Sequence, residues 1–236
     1  MGSPALELID LHAGYGRIEV LRGVDLHVPQ GKVTALLGPN GAGKTTTLRT
    51  IGGAITPTRG CVHLDGVHVN GASPSALARA GLCHIPEGRA VFPNLTVTEN
   101  LRMTMYGRDR SLSEVLDSSF TRFPRLSERR HQLAGTMSGG EQQMLAMARS
   151  LTGRPGLLLL DEISMGLAPM IVRELYDLVA QLAADGITIL VVEQFARIAL
   201  SVADFAAVMS GGVITTVGQP ADVADAVEDA YFGGAA

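Results

Sequence analysis

The sequence predicts an α/β fold in which a parallel sheet is flanked by helices. Short apolar runs alternate with helical patterns along most of the 236 residues, which is typical of parallel strands connected by helices. Three runs, at Val33–Leu37, 157–160 and 187–192, place apolar residues at consecutive positions, as strands buried on both faces require. The length fits one domain, or one domain that carries a small insertion.

A helix and a hairpin accompany these strands. Apolar residues recur along one helical face from Pro169 to Ala184, and Pro169 suits the first turn of a helix. The runs 205–209 and 213–217 are joined by Ser-Gly-Gly, which predicts a β-hairpin.

The middle third of the chain contains only helical patterns. Thr96 and Glu99 have the spacing of a capping box, and further helices are predicted over 111–120 and after Gly140. This block interrupts the alternation of strands and helices, so we interpret it as an insertion. We expect a single domain over 1–236, with a core of about 1–85 and 153–236 and a helical insertion of about 86–152.

Composition and charge exclude several classes of protein. Lys and Arg number 19 against 23 Asp and Glu, a net charge of −4, which argues against a nucleic-acid partner. Cys61 and Cys83 lack metal-binding spacing, which excludes structural zinc and a disulfide framework. The longest apolar runs are about five residues, against ~20 for a spanning helix, and no secretory signal begins the chain. We therefore expect a cytoplasmic protein, whose apolar residues serve either a core or a docking surface.

A phosphate-binding loop is predicted at 38–45, which matches G-x-x-x-x-G-K-[ST] between a buried strand and a helix. Glycines let backbone N–H groups surround phosphate oxygens, and the helix N-terminus favours an anion. Lys44 is expected to contact the β- and γ-phosphates, and Thr45 to bind magnesium. A plain glycine-rich turn is the alternative, which this context disfavours. The expected nucleotide contacts are Gly38, Pro39, Asn40, Gly41, Ala42, Gly43, Lys44, Thr45 and Thr46.

Two acids follow the buried strand 157–160. Asp161 is expected at the edge of the sheet beside the phosphate loop, where it would hold magnesium, and Glu162 would polarise the water that attacks the γ-phosphate. The alternative is that both are ordinary solvated acids at a strand end. The nearby phosphate loop makes this alternative the weaker interpretation.

A second phosphate-binding concavity is predicted at Ser138, Gly139 and Gly140, which open a helix 23 residues before Asp161. One triphosphate does not need two such concavities from one chain. We infer that the second belongs to another chain's nucleotide, so that ATP lies between two subunits.

With these motifs, nearly the whole chain resembles the ATP-binding subunits of ABC transporters. The resemblance implies a P-loop NTPase (RecA-like) core, an N-terminal antiparallel β part and an inserted helical subdomain. It implies that Tyr15 stacks on adenine and that Glu87 contacts the nucleotide and its metal. Gln194 would be the switch residue, catalytic together with Glu162 and Lys44. A solvated loop position is the alternative for Tyr15.

The resemblance also implies cofactors and partners. The cofactors are ATP and Mg²⁺. The partners are a second ATP-binding subunit, either a similar paralogue or a second copy, in a head-to-tail dimer, transmembrane permease subunits and, indirectly, an extracytoplasmic solute-binding protein. The location is peripheral, on the inner face of the cell membrane.

Within the family, segments 86–97, 123–126 and 164–169 resemble the branch that powers branched-chain amino acid import. That branch has Glu87 where most ABC proteins have glutamine, Gln194 where most have histidine, and Ala168 where most have aspartate. Branches that import urea or short amides are similar enough to stay open as alternatives.

Two residues depart even from that branch. Ile163 replaces a proline and Phe195 an asparagine, both beside the γ-phosphate region. A subunit that closes on ATP but scarcely hydrolyses it, because Ile163 or Gln194 degrades the site, is therefore an alternative. A soluble ABC ATPase acting on DNA or ribosomes is a further alternative, which the acidic charge and the single cassette disfavour.

Overall fold

The computed structural model describes residues 4–88, 90–105 and 110–232. In these residues the strands are β1 (Pro4–Tyr15), β2 (Ile18–Pro29), β3 (Val33–Leu37), β4 (Arg59–Leu64), β5 (Val67–His68), β6 (Leu82–Ile85), β7 (Leu157–Asp161), β8 (Thr188–Glu193), β9 (Phe205–Ser210) and β10 (Val213–Gly218). The helices are α1 (Lys44–Ile51), α2 (Pro74–Arg79), α3 (Val97–Arg102), α4 (Leu112–Arg122), α5 (Pro124–Glu128), α6 (Gly139–Leu151), α7 (Pro169–Ala184), α8 (Ala196–Leu200) and α9 (Ala224–Phe232).

The larger sheet has the strand order β10-β9-β3-β8-β7-β6. Its members β9, β3, β8, β7 and β6 are parallel, and only β10 runs antiparallel, as the second strand of the predicted hairpin. Leu37 lies opposite Glu193, and Asp161 lies opposite Val192. Parallel strands end at a common edge, so the segments that follow β3, β6, β7 and β8 meet there.

The consecutive apolar residues of the central strands are explained by burial on both faces. In β7, Leu158 and Leu160 belong to one core, and Leu157 and Leu159 to the other. Strands β3, β8 and β9 divide in the same way. Because side chains alternate between the faces of a strand, a sheet covered on both sides needs apolar residues at every position.

The smaller sheet is antiparallel, with the order β2-β1-β4-β5. It covers one face of the central sheet, because Leu6, Leu8 and Leu26 share a core with Leu36 and Leu190. The antiparallel N-terminal part expected from the family resemblance is confirmed.

In the insertion, the described residues from 97 to 151 form helices, two short 3₁₀ turns and the loops that connect them. Thr96, Ser111 and Ser138 each cap a helix, and each forms a capping box with the glutamate three residues later. The helix predicted after Gly140 is α6, and it begins at Gly139, two residues earlier than predicted. The short helix α5 was not predicted, because five residues give too little periodicity to detect.

Cys61 and Cys83 are both half-buried, and no disulfide links them among the described residues. Among the described residues, none of the helices has the length and apolar character needed to span a bilayer.

Candidate functional site

The phosphate loop lies between β3, which is buried along its whole length, and α1. Gly41 and Gly43 have φ angles of 82° and 114°, in the left-handed region that favours glycine. A Cβ on Gly38 would lie 2.2 Å from the carbonyl oxygen of Met209. At these positions the loop therefore requires glycine, as its motif predicts.

Lys44 is the first residue of α1, and its side chain is only 4% exposed. Its Nζ donates hydrogen bonds to the carbonyl oxygens of Gly38, at 2.8 Å, and Pro39, at 3.2 Å. It also lies 3.6 Å from Oε1 of Glu162. The ammonium group is thus held inside the loop, beside the end of β7.

Asp161 ends β7 and is buried, at 2% exposed. Burial and the nearby negative charges of Glu162 and Glu87 raise its pKa to about 6, although Lys44 and Arg49 act in the opposite direction. Its Oδ1 is buried without a hydrogen-bond partner among the described residues. A buried carboxylate oxygen with no donor, close to two further acids, is suited to bind a cation.

The described residues contain no cluster of three or more His, Cys, Asp or Glu side chains that would hold a metal alone. Mg²⁺ sites are commonly made by one or two protein groups together with phosphates and water. Thr45, the second residue of α1, is half-buried. Thr45 and Asp161 fit such an ion, and exposed Glu87 adds negative charge.

Glu162 adopts an uncommon backbone conformation, with φ of 46°. Its N–H donates to the carbonyl oxygen of Val192, which joins the end of β7 to β8. Ile163 is buried in the same core as Leu158 and Leu160 of β7. A proline at 163 would push Glu162 toward an extended conformation with negative φ, whereas isoleucine is compatible with the positive φ that the structure contains.

Glu193 joins three elements at this edge of the sheet, and the sequence analysis missed it. Its buried carboxylate accepts hydrogen bonds from the backbone and hydroxyl of Ser164, at 3.1 and 3.0 Å, and from the Tyr176 hydroxyl, at 2.7 Å. Burial raises the pKa of Glu193 overall, although these donors act to lower it. The network fixes the segment after Glu162 against β8 and α7.

Gln194 follows directly after β8 and is half-buried, whereas Phe195 is 58% exposed. Because Leu37 lies opposite Glu193 in neighbouring strands, Gln194 is placed at the same edge as the phosphate loop. Phe195 presents an apolar ring beside it.

Tyr15 ends β1 and is 45% exposed. Its hydroxyl accepts a hydrogen bond from Nη1 of Arg49 on α1, at 3.3 Å. The ring is therefore tied to the helix that carries the phosphate loop, with nearly half of its surface open for contact.

The segment Ser138–Gly140 lies in the helical insertion. The Ser138 hydroxyl donates to Oε2 of Glu141, at 2.9 Å, and accepts from the Glu141 N–H. A Cβ on Gly140 would lie 2.4 Å from Cγ2 of Ile171 on α7, so this glycine also has a packing role. No hydrogen bond or ion pair in the described part of the chain joins this segment to the phosphate loop.

Tyr231, on α9, is a contact of the phosphate loop that the sequence analysis missed. Its hydroxyl accepts a hydrogen bond from the Gly38 N–H, at 3.1 Å, and donates one to the Gly38 carbonyl oxygen, at 3.0 Å. It lies 193 positions from Gly38 in sequence. Local patterns carry no signal for such a pairing.

Comparison with known proteins decides the family of this chain. A model of the ABC transporter family matches residues 21–164. The chain is 44% identical over 223 residues to the high-affinity branched-chain amino acid transport ATP-binding protein BraG of Pseudomonas aeruginosa, with 93% of this chain and 96% of BraG covered. The chain belongs to the ABC transporter family, among its ATP-binding proteins.

A further relative and a solved structure support the same family assignment. A probable branched-chain amino acid transport ATP-binding protein LivF of Archaeoglobus fulgidus is 37% identical, with 88% of this chain and 89% of LivF covered. The crystal structure of the ADP conformation of an ATP-binding cassette of an ABC transporter superposes with a TM-score of 0.87 at 26% identity, with 98% of this chain and all of that one covered. The predicted ABC ATPase fold is confirmed.

In this ABC protein one group of predicted site residues meets at the carboxyl edge of the central sheet. Lys44 contacts Glu162, and charges of Glu162 and Glu87 act on Asp161. Ser138, Gly139 and Gly140 stand apart from that group, on the insertion.

Proposed function

We propose that this chain is the ATP-binding and hydrolysing subunit that powers import of branched-chain amino acids through a membrane ABC transporter. The observation that carries the ATPase part is the buried Lys44 of the phosphate loop, 3.6 Å from Glu162 and beside the buried Asp161. The proposal that the cargo is branched-chain amino acids is based on the names of the relatives BraG and LivF.

ATP binding uses the phosphate loop and Tyr15. Backbone N–H groups within residues 40–46, at the loop and the N-terminus of α1, hold the β- and γ-phosphates, and Lys44 moves from its carbonyl partners to contact them. The exposed ring of Tyr15 stacks on the adenine base.

Thr45 and Asp161 would hold Mg²⁺, with Glu87 nearby, and the bound ion would supply positive charge to the phosphates. Glu162 polarises the attacking water as general base, and its pairing with Lys44 places its carboxylate next to the phosphate loop. Gln194 donates a hydrogen bond to the γ-phosphate and does not titrate.

The site is completed by a second ATP-binding subunit in a head-to-tail dimer. Ser138, Gly139 and Gly140 of the partner close over the γ-phosphate, and hydrolysis removes the shared ligand so that the dimer reopens. Within the chain, Glu141 orients the Ser138 hydroxyl at the start of α6. Movement reaches the transmembrane permease through the segment around Glu87, which joins the central sheet to the helical insertion. This coupling places the subunit on the inner face of the membrane.

The first test measures phosphate release by the purified chain as a function of its concentration, with and without the permease that co-purifies with it. We expect turnover that rises steeply with concentration, since each site needs two subunits, and that falls sharply in Ser138→Ala. ATP binding without phosphate release would favour a gating subunit whose site is weakened by Ile163 or Gln194. Full turnover in a dilute monomer would refute the shared site.

The second test concerns the cargo. Vesicles reconstituted with the chain, its permease and its binding protein are supplied with ATP and with labelled leucine, urea or acetamide. Uptake of leucine, lost in Glu162→Gln, is the expected result. Uptake of urea or acetamide in place of leucine would assign the chain to the related amide or urea branch.

A further inference from the structure

The C-terminal helix α9 places one polar group on the phosphate loop. Val227 of α9 is buried in the same core as Leu158 and Leu160 of β7, and Ala226, Ala230 and Tyr231 pack against that core. The position of the Tyr231 ring is therefore fixed by packing. Its hydroxyl uses both its donor and an acceptor site on the backbone of a single residue, Gly38.

The Gly38 carbonyl oxygen has two donors in this structure. Lys44 Nζ lies 2.8 Å from it and the Tyr231 hydroxyl lies 3.0 Å from it. A carbonyl oxygen has two lone pairs, so both bonds form at once. Lys44 and Tyr231 thus share one acceptor at the entrance to the loop.

Nucleotide binding changes this arrangement if Lys44 turns to the β-phosphate, as the proposed function requires. The ammonium group then leaves the carbonyl oxygen of Gly38, which is a buried residue. A carbonyl left without a donor in such a place is unfavourable. The Tyr231 hydroxyl already occupies the second lone pair, so the carbonyl stays paired after Lys44 leaves.

We propose that Tyr231 is a positioning residue of the phosphate loop, whose hydroxyl keeps the Gly38 carbonyl hydrogen-bonded while Lys44 binds phosphate. This inference rests on the proposed ATP site. It assigns the C-terminal helix a role in nucleotide affinity that acts through the backbone of Gly38.

The test is Tyr231→Phe, which removes the hydroxyl and keeps the ring. Binding of ADP with Mg²⁺ is measured by calorimetry. We expect the Kd to rise about fivefold to tenfold, the typical effect of one net hydrogen bond. The turnover number at saturating ATP stays within about twofold of wild type, because the loss falls on binding and not on the chemical step. Asp229→Asn, an exposed change on the same helix, is the matched control and leaves the Kd unchanged.

A double-mutant cycle with Lys44→Met separates this role from plain support of the loop. Without an ammonium group, the Gly38 carbonyl has the same partners before and after binding. Tyr231→Phe should then change the Kd by less than about twofold in the Lys44→Met background. AMP, which lacks the β-phosphate, should bind wild type and Tyr231→Phe equally.

Each other outcome has a distinct meaning. Equal losses of affinity in both backgrounds would overturn the positioning role and leave Tyr231 as a structural support. An unchanged Kd in Tyr231→Phe would also overturn it. If Lys44→Met itself binds ADP as wild type does, the proposed phosphate site fails, independently of Tyr231.

Discussion

Nζ of Lys44 lies 3.6 Å from Oε1 of Glu162, and both side chains are largely buried, at 4% and 13% exposed. The pair joins the two motifs of the site, since Lys44 begins α1 and Glu162 follows β7. It also balances charge, because a buried ammonium group needs a nearby anion. Phosphates that enter the loop would attract Lys44 and leave Glu162 free to act on water.

Glu162→Gln tests the role of general base. The amide keeps the size of the side chain but does not accept a proton, so ATP binding should persist while turnover slows at least 100-fold, about 2.7 kcal/mol of barrier. Steady-state phosphate release and equilibrium binding of ATP measure the two effects separately. Glu128→Gln, an exposed change on α5, is the control. Near-normal turnover in Glu162→Gln would remove this residue from the role of base.

The central sheet and its edge were predictable from the sequence because the signals are local. The strand β3, the loop 38–45 and the acids at 161 and 162 lie in short continuous segments with known geometric consequences. Apolar runs locate the buried strands, and parallel strands bring their carboxyl ends together. The two motifs therefore had to meet.

The contacts that the sequence did not predict are all long-range. Tyr231 reaches Gly38 across 193 positions, and Glu193 reaches Ser164 across 29. Neither a tyrosine near a chain end nor a glutamate at a strand end has a distinctive local pattern. The N-terminal sheet was expected only from the family resemblance, because β1 and β2 pair with irregular register that blurs the alternation of side chains.

Asp161 should make stability depend on pH. Its folded pKa of about 6 exceeds the ordinary value of 3.8, so between these values the folded state binds more protons than the unfolded state. The free energy of unfolding therefore falls as pH rises from about 4 to 6 and stays lowered above it. Asp161→Asn removes the cost of ionising the buried carboxyl group. We therefore expect its free energy of unfolding to exceed that of wild type by about 1–3 kcal/mol at pH 7.5 and by almost nothing at pH 4.

Urea unfolding in EDTA, at both pH values, measures the effect for wild type and Asp161→Asn. Asp117→Asn, an exposed change on α4, should behave as wild type does. A gain of the same size at both pH values would mean that ionisation of Asp161 is not its cause. Since Asp161 is also expected to bind Mg²⁺, the more stable variant should be the poorer ATPase.

Gln194 should contribute no ionisation to the rate. A glutamine amide does not titrate near neutral pH, unlike the histidine that most ABC proteins have here. The pH–rate profile of Gln194→Ala should therefore keep the shape of the wild-type profile, although its absolute rate is lower. Phosphate release between pH 5.5 and 9 measures both profiles. An inflection near neutral pH that is present in wild type and absent in Gln194→Ala would contradict this assignment.

Gly140→Ala distinguishes the packing role of this glycine from its proposed role at the partner's phosphate. The new methyl group would lie 2.4 Å from Cγ2 of Ile171, and we expect a loss of about 1–3 kcal/mol in the free energy of unfolding. Gly156→Ala, where no atom lies within 4 Å, is the control. The double change Gly140→Ala with Ile171→Ala removes the clash. Much of the free energy of unfolding that Gly140→Ala loses through the clash should therefore be recovered. If the double variant is stably folded but its turnover stays low, Gly140 acts at the nucleotide as well as in the core. If stability and turnover both recover, Gly140 is a packing residue only.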